Sequence, residues 1–363
     1  MKIREQLIGL CLAISCHTAA QYSGIPSFTP PQPASLAPHI SDFGPKSPFA
    51  PVNSPCNSPV PYQPYRVGNA YDILRKNDRE LEIELQRQSF AIRLTEQGFP
   101  SRSRMPGTGY FYEAYRQIDG MLRDSLSLDL GKAVFLVENA LLGNTLDYAS
   151  YEKAIDERAD LCRWKMQEEK LSSQDNLAKN NILFRLLTET MTIKQPGTEK
   201  RITHYPVQYN LDDYRSRQDF TSHFVTTLLS TNEGQCYSMP LLYLVIAEKL
   251  GAEAFLSHSP LHSFIKIKDD SGRWYNLELT CRYILIDSHY VNNSRIGSDA
   301  LRSGLYLSPL DKKEVIAGLM TQLGHYYYIK YDHDPFVLQC MAPVPGVYKD
   351  SRGCLAGGIR LRE

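Results

Sequence analysis

The sequence predicts an α+β protein in which a helical N-terminal region precedes a region rich in β-strands. Between residues 69 and 192, apolar residues recur every three to four positions among charged ones, which is the period of amphipathic helices. From about residue 203 to 290, aromatic and β-branched residues become frequent, as is typical of strands. With 42% hydrophobic residues, the chain of 363 residues has enough apolar surface for a packed core.

The charge balance argues against nucleic acid as a partner. Lys and Arg together number 40, Asp and Glu also number 40, and the formal net charge is therefore zero. Proteins that bind nucleic acids usually carry a basic surplus, and this chain has none overall. Beyond the first residues, no apolar run approaches the ~20 residues that a membrane helix needs, so we expect no integral membrane segment in the mature chain.

Residues 1–20 have the pattern of a secretory signal peptide. MKIR supplies a positive start, and 6-QLIGLCLAISCHTAA-20 is a short apolar run that ends in small residues. Cleavage after Ala20 predicts an exported protein of bacterial type, either periplasmic or secreted. A second option is a lipoprotein anchored through Cys16, although Ala13 stands where a leucine is usual. A buried first helix of a cytosolic protein is less favoured, because a proline-rich segment follows at once.

The rest of the chain divides by composition into four parts. Residues 21–68 are rich in proline, which removes backbone donors and favours extended conformations, so they predict a disordered linker. Residues 69–192 predict a helical domain, residues 193–305 a strand-containing core, and residues 306–363 a helical C-terminal extension with an irregular tail from 342. The helical stretches of the second part are 71–94, 109–124, 127–144, 147–170 and 175–191.

Cys236 stands near the start of 234-GQCYSMPLLYLVIAEKLG-251, which predicts a buried helix closed by Gly251. Pro240 is tolerated only in the first turn of a helix, which places Cys236 at the helix N-terminus or one step inside it. There the helix dipole favours a thiolate, and the unpaired N–H groups suit a developing oxyanion. A lone cysteine is more often a small core residue, so the case for a nucleophile depends on a nearby base.

That base is predicted in 262-HSFIKIKDDSGRWYNLELT-280, whose alternation of apolar and polar residues indicates a β-hairpin. A three-residue loop closed by Gly272 in the left-handed conformation keeps His262 and Glu278 on one face, opposite or diagonal to each other. A four-residue loop would instead put the histidine on the apolar face. The favoured register predicts a triad in which Cys236 is the nucleophile, His262 the base and then the acid, and Glu278 the carboxylate that orients the imidazole.

These motifs resemble those of the transglutaminase-like superfamily, in particular a bacterial branch with a helical N-terminal region. GQCYS resembles the family's GQCW-type motif, and His262 followed by a strand resembles its histidine. The segment 274-WYNLELT-280 resembles its W-x-x-x-D-x-T segment, with Glu278 where aspartate is usual. Tyr237 stands where tryptophan is common. The resemblance implies that residues 193–305 form a papain-like transglutaminase core, with a helix packed on an antiparallel sheet.

The resemblance also implies a thiol acyl-transfer enzyme that forms an acyl-enzyme. Its simplest form is a cysteine peptidase or amidase that acts on a protein or peptide substrate without a cofactor, through Cys236, His262 and Glu278. Asn276 shares the predicted face of Glu278 and is an alternative third member, since asparagine orients the imidazole in papain-type enzymes. Catalytic residues are often missing in this branch, so a non-catalytic module that binds protein or peptide is the competing hypothesis.

His258 is the second histidine of the predicted core, and we expect it in a loop. It lies four residues before His262, a spacing that suits metal ligands on one face of a helix. Pro260 separates the two and strands flank them, so we expect no shared helical face and no metal site. The spacing of the cysteines matches no metal-binding pattern either.

Overall fold

The computed structural model describes residues 101–213, 219–294, 296–302, 304, 306–332 and 334–341. The parts of the chain predicted as signal peptide, linker, first helical stretch and irregular tail lie outside the described residues: 1–20, 21–68, 71–94 and 342–363. Within the described part, helices combine with small and mainly antiparallel sheets. This arrangement confirms the α+β class.

Four helices occupy the first part of the described chain: α1 (Thr108–Leu122), α2 (Leu130–Leu141), α3 (Tyr148–Glu168) and α4 (Asn176–Thr188). They agree with the last four predicted helical stretches. An aspartate precedes each of α2, α3 and α4, and its carboxylate accepts a hydrogen bond from the backbone N–H three residues further on. These aspartates are Asp129, Asp147 and Asp175. They satisfy donors that the first turn of a helix leaves without intrahelical partners.

Short elements connect the helical region to the main sheet. Strands β1 (Met191–Lys194) and β2 (Arg201–His204) form an antiparallel hairpin, and β3 (Gln208–Tyr209) pairs in parallel with β4 (Glu233–Gly234). A 3-10 turn and the helix α5 (Val225–Thr231) lie between β3 and β4. Because β4 leads directly into Gln235 and Cys236, its pairing with β3 helps to position the predicted nucleophile.

A long helix and a four-stranded antiparallel sheet form the centre of the molecule. The helix is α6 (Ser238–Leu250), and the strands are β5 (Phe255–Ser259), β6 (His262–Lys268), β7 (Trp274–Glu278) and β8 (Tyr283–Leu285), each beside the next. Helix α6 packs on α3, α4, β5 and β6, so it is buried on nearly all sides. It ends at Gly251, whose left-handed φ of 60° agrees with the predicted stop.

The described chain after the sheet is again helical: α7 (Asp287–Asn293), α8 (Ser298–Arg302), α9 (Lys312–Tyr331) and α10 (Pro335–Met341). Between α8 and α9 the chain passes along the outer edge of β5. There the N–H of Leu307 donates to the carbonyl of His258 at 2.9 Å, and the N–H of Leu310 donates to that of Leu256 at 2.8 Å. Helix α9 then packs on α1 and α2, which returns the C-terminal part to the N-terminal helices.

The β6–β7 hairpin has the predicted register. Ile265 lies opposite Leu277, and the N–H of Asp269 donates to the carbonyl of Arg273 at 3.0 Å. Three residues therefore remain in the loop, which closes at Gly272 with a left-handed φ of 83°. This odd loop length puts His262 and Glu278 on the same face of the sheet, as expected. Extending the register places Glu278 opposite Phe264, so His262 is its diagonal neighbour.

The two faces of the sheet have different surroundings. One face joins a large apolar core shared with the N-terminal helices, α6 and α9, and it contributes Ile265, Ile267 and Leu277. The other face carries His262 and Glu278, and a small separate apolar cluster covers part of it. That cluster consists of Phe264, Leu285, Tyr290 and Ile296. None of the described helices has the length and the apolar character that crossing a bilayer requires.

A buried carboxylate joins the helical region to the segment that precedes Cys236. Glu138 of α2 is 4% exposed, and its carboxylate accepts hydrogen bonds from the N–H groups of Val225 and Thr226 at 2.8 and 2.9 Å. It also accepts one from the Thr226 hydroxyl at 2.7 Å. These groups form the first turn of α5, so Glu138 caps that helix from outside. Burial raises the pKa of Glu138 to about 7 despite these donors.

We expect Glu138 to make the stability of the protein depend on pH. The folded state holds this proton to a higher pH than the unfolded chain, so the free energy of unfolding should fall by roughly 2–3 kcal/mol as the pH rises from about 4.5 to 7.5. Urea unfolding of the wild type and of Glu138→Gln across this range tests the expectation, because the amide does not titrate. Glu157→Gln, at an exposed position of α3, is the control. If Glu138→Gln kept the wild-type slope, the assignment to this carboxyl group would be wrong.

Candidate active site

Cys236 lies just ahead of α6, which corrects the expected position at or inside the helix N-terminus. The helix begins at Ser238, with Tyr237 as its N-cap residue. A first helical hydrogen bond, from the N–H of Met239 to the carbonyl of Gln235 at 3.0 Å, already spans Cys236. Pro240 has no N–H to donate to the carbonyl of Cys236, so Cys236 stays outside the regular helix. The thiol is half-buried and forms no disulfide.

The structure brings His262 and Glu278 into direct contact. Nε2 of His262 donates to Oε2 of Glu278 at 2.6 Å. The carboxylate is almost fully buried, while the imidazole keeps about a quarter of its surface exposed. The contact crosses the β6–β7 hairpin diagonally, which the longer side chain of a glutamate can span. With Nε2 engaged by the carboxylate, Nδ1 is the ring nitrogen left for another partner.

Glu278 accepts four hydrogen bonds, two on each oxygen. Oε2 accepts from His262 and from the hydroxyl of Tyr290 at 2.9 Å. Oε1 accepts from the N–H and the hydroxyl of Thr280 at 3.1 and 2.7 Å. Burial opposes the charge of this carboxylate, but His262 and Thr280 outweigh that cost and hold its pKa below the usual value. Glu278 is therefore an ionised, fully partnered carboxylate beside the imidazole.

The imidazole of His262 links this carboxylate to the thiol. Burial alone would lower its pKa, but the charge of Glu278 and a hydrogen bond with the Cys236 thiol raise it well above 6.5. The pKa of the His262 imidazole thus depends on both the Glu278 carboxylate and the Cys236 thiol. An imidazole of raised pKa is a stronger base that can take the proton of a neighbouring thiol, which is the first requirement of a nucleophilic cysteine.

The segment that holds Cys236 is anchored by the glutamine before it. Gln235 is fully buried, and its side-chain amide donates to the carbonyls of Asn210 and Asp213 at 3.2 and 2.9 Å. Its backbone N–H donates to the hydroxyl of Ser238 at 2.9 Å. Among the described residues, no acceptor bonds the backbone N–H of Cys236. Within the part of the chain that the structure describes, this N–H is left as a donor beside the thiol, at the place where an oxyanion would need one.

The turn between β5 and β6 lies against the thiol. The carbonyl oxygen of Leu261 is 4.0 Å from Sγ of Cys236. Ser259 pairs with His262, so only Pro260 and Leu261 form the turn. Leu261 has a left-handed φ of 59°, a conformation in which glycine is usual, and its side chain is 67% exposed. This strained turn thus fixes the position of His262, the first residue of β6, relative to the thiol.

Asn276, the alternative third member, points to a different partner. It lies on the same sheet face as Glu278, but its amide nitrogen donates to Oδ1 of Asp287 at 2.8 Å. Lys266 binds the same oxygen of Asp287 at 2.8 Å. No hydrogen bond joins Asn276 to His262 among the described residues. The structure therefore places Glu278, and not Asn276, next to the imidazole.

His258 lies in strand β5, so its predicted loop position was wrong. The chain forms a strand there because the segment 307–310 covers the outer edge of β5 and the ladder to β6 extends to Ser259. Nδ1 of His258 shares a hydrogen bond with the Ser263 hydroxyl at 3.0 Å, and burial lowers the pKa of this imidazole to about 4. Across the described ranges, no group of three or more His, Cys, Asp or Glu side chains has an arrangement that could hold a metal ion.

Sequence reasoning missed two groups that bind the carboxylate of Glu278. Thr280 stands in the quoted W-x-x-x-D-x-T segment, so its position was noted but its role was not. Tyr290 lies on α7, twelve residues beyond Glu278, and no motif or period links the two. Its place depends on how the chain turns after β8, which the sequence pattern does not predict.

Comparison with models of protein families, with curated proteins and with solved structures finds no match for this chain. The assignment of a function therefore depends on the geometry of the site and on the resemblance of its short motifs.

We expect Glu278→Gln to lower the pKa of the His262 imidazole, because the charge that offsets its burial is lost. The ring signals of His262 in an NMR titration from about pH 5 to 10 measure this shift. Glu253→Gln removes an exposed charge ahead of β5 and is the control. An unchanged pKa of His262 in the Glu278→Gln variant would show that the carboxylate does not hold the imidazolium.

Proposed function

We propose that this protein is a thiol acyl-transfer enzyme of transglutaminase-like type with a papain-like core, most simply a cysteine peptidase or amidase. The observation that carries the proposal is the 2.6 Å contact between His262 and the buried, ionised Glu278, beside the Cys236 thiol that also raises the pKa of this imidazole. Helix α6 packed on β5 and β6 agrees with the core that the motif resemblance implies. The signal-like residues 1–20 support export as the route by which this activity reaches the periplasm or the exterior.

The proposed reaction proceeds through a thioester. His262 takes the proton of the Cys236 thiol, and the thiolate sulfur attacks the carbonyl carbon of a peptide or carboxamide. The oxyanion that forms lies near the backbone N–H of Cys236. His262 then gives its proton to the nitrogen as the carbon–nitrogen bond breaks, and an amine leaves. Glu278 stabilises the imidazolium through both steps and keeps Nδ1 turned toward the sulfur.

Water is the simplest second substrate. His262 removes a proton from the water as it attacks the thioester, the carboxylic acid product leaves, and the proton returns to the thiol. Cross-linking would need a site that holds a second amine, and no sequence feature indicates one. The proposal therefore favours hydrolysis over cross-linking. The substrate class is a protein or peptide, or another compound that carries a carboxamide.

Tyr237 and Glu278 are the two departures from the family pattern. Tyr237 packs near His223 and Tyr326, among aromatic side chains, and burial raises the pKa of its phenol. A protonated phenol is a hydrogen-bond donor, as an indole is. Glu278 is one methylene longer than aspartate, and its diagonal position across the hairpin uses that length. Both departures are compatible with the proposed chemistry.

The reactivity of Cys236 tests the proposal without a known substrate. We expect iodoacetamide to alkylate Cys236 rapidly down to about pH 5–6, and we expect His262→Ala to slow this labelling at least tenfold, because the imidazolium stabilises the thiolate. The measurement follows the labelling rate from about pH 4 to 9 and uses peptide mapping to assign it to Cys236. His204→Ala, in the β1–β2 hairpin, is the matched control.

Labelling that rises only near the ordinary thiol pKa of about 8.5, with the same rate in both variants, would mean an unactivated cysteine. That outcome would favour the competing hypothesis of a module that binds protein or peptide. If the wild type labels as expected, mass spectrometry of acid-quenched mixtures with amide and peptide libraries should detect an acyl group on Cys236.

A further inference from the structure

Tyr290 makes an unusual set of contacts on the covered side of the His262–Glu278 pair. Its hydroxyl donates to Oε2 of Glu278 at 2.9 Å, the same oxygen that binds Nε2 of His262. Its ring stacks on Phe264, with centroids 4.0 Å apart and an interplanar angle of 11°. The same ring lies 6.4 Å from that of His262, tilted by 26°. The side chain is 4% exposed, so it is a fixed part of the interior.

We propose that Tyr290 is a positioning residue of the triad, which holds Glu278 in place through its hydroxyl and shields the Glu278–His262 contact from water with its ring. This inference rests on the proposed function, and it adds a group that no motif of the sequence identifies.

The hydroxyl of Tyr290 acts on the charge and on the orientation of the carboxylate. A buried carboxylate stays ionised only if donors replace the water that it has lost. Thr280 fixes Oε1, but Oε2 has only His262 and Tyr290 as donors among the described residues. Without the Tyr290 hydroxyl, Oε2 would depend on the imidazole alone. The carboxylate would then hold its proton to a higher pH and be free to rotate away from His262.

Tyr290 remains a donor at every pH of interest. Burial and the charge of Glu278 raise the pKa of its phenol well above 10. Other ionisable groups near the pair come from β6, the β7–β8 turn and α7. Lys266 is paired with Asp287, which reduces the effect of that aspartate. These neighbouring groups are Lys266, Cys281, Asp287 and His289.

The same contacts give a reason for glutamate where the family has aspartate. The Glu278 side chain starts opposite Phe264, and its carboxylate must reach a diagonal imidazole on β6 and a phenol on α7. The extra methylene brings the carboxylate close enough to both. The Tyr290 hydroxyl and the longer side chain of Glu278 therefore depend on each other, and we expect substitutions at the two positions to have coupled effects.

The test compares Tyr290→Phe with the wild-type full-length protein, since phenylalanine keeps the stacked ring and removes only the hydroxyl. The first readout is the low-pH transition of the His262 ring in NMR, which reports protonation of Glu278. We expect it to move up by about one pH unit, because a buried carboxylate that loses a donor is easier to protonate. The second readout is Cys236 alkylation, whose acid limb should move up by the same amount and whose rate near pH 5.5 should fall roughly fivefold.

Two control variants separate positioning from simple destabilisation. Tyr306→Phe removes a hydroxyl from a tyrosine that packs on the same apolar cluster but gives Glu278 no hydrogen bond, so both readouts should stay at wild-type values. In a Glu278→Gln background, Tyr290→Phe should have no further effect on alkylation, because its action runs through the carboxylate. A further loss in that background would show a purely structural role and would overturn the proposal.

The two readouts also distinguish this inference from the proposed function. If the His262 transition moves as expected while Cys236 is unreactive in the wild type, Tyr290 positions the pair but the thiol chemistry is wrong. If wild-type Cys236 is activated and Tyr290→Phe changes neither readout, the thiol chemistry stands and the role of Tyr290 is refuted.

Discussion

The candidate site depends on one buried carboxylate that must remain charged. Glu278 is 3% exposed, and an ionised group at that depth is stable only when its oxygens are fully bonded. Its donors come from β6, from the turn after β7 and from α7, so three separate parts of the chain must meet around it. The hairpin register, the β7–β8 turn and the docking of α7 on Phe264 are all constrained by this requirement. The raised pKa of His262 is a consequence of the same charge.

The thiol of Cys236 is positioned independently of Glu278, by buried polar groups that hold the irregular segment ahead of α6. Glu138 caps α5, Gln235 binds the carbonyls of Asn210 and Asp213, and the hydroxyl of Ser238 binds the N–H of Gln235. The bonds of Glu138 join α2 to α5, which no ladder connects, and those of Gln235 extend the contact between two segments beyond the end of the β3–β4 pairing. A segment that must bring Cys236 to the sheet edge cannot be a continuous helix or strand, so side chains supply the bonds that secondary structure would otherwise provide. Helix α6, buried on nearly all sides, is the rigid base of this arrangement.

Local patterns predicted much of this structure, and contacts between distant segments account for the rest. The helices α1 to α4, the stop at Gly251 and the three-residue loop at Gly272 follow from periodicity and turn chemistry within a few residues of chain. Cys236 lies ahead of the N-cap Tyr237, and not at or inside the helix N-terminus, because Pro240 has no N–H to donate to the carbonyl of Cys236. The strand at His258 was missed because the segment 307–310, far along the chain, covers its edge. The contact of Tyr290 with Glu278 was missed for the same reason, because it joins two elements whose packing no local pattern predicts.

The separation of the sheet into two faces explains how a glutamate side chain fits at position 278. Residues on the core face, such as Ile265 and Leu277, pack against α6 and the N-terminal helices, where a change of one methylene is felt by many neighbours. Glu278 instead faces a cluster of four buried apolar residues, which includes one residue of the last strand and one of the helix after it. That layer is separate from the main core, so it can adjust to a longer acid without disturbing the scaffold. The glutamate is long enough for its carboxylate to reach both the imidazole of His262 and the hydroxyl of Tyr290 on α7. The length of the acid and the position of Tyr290 are therefore matched.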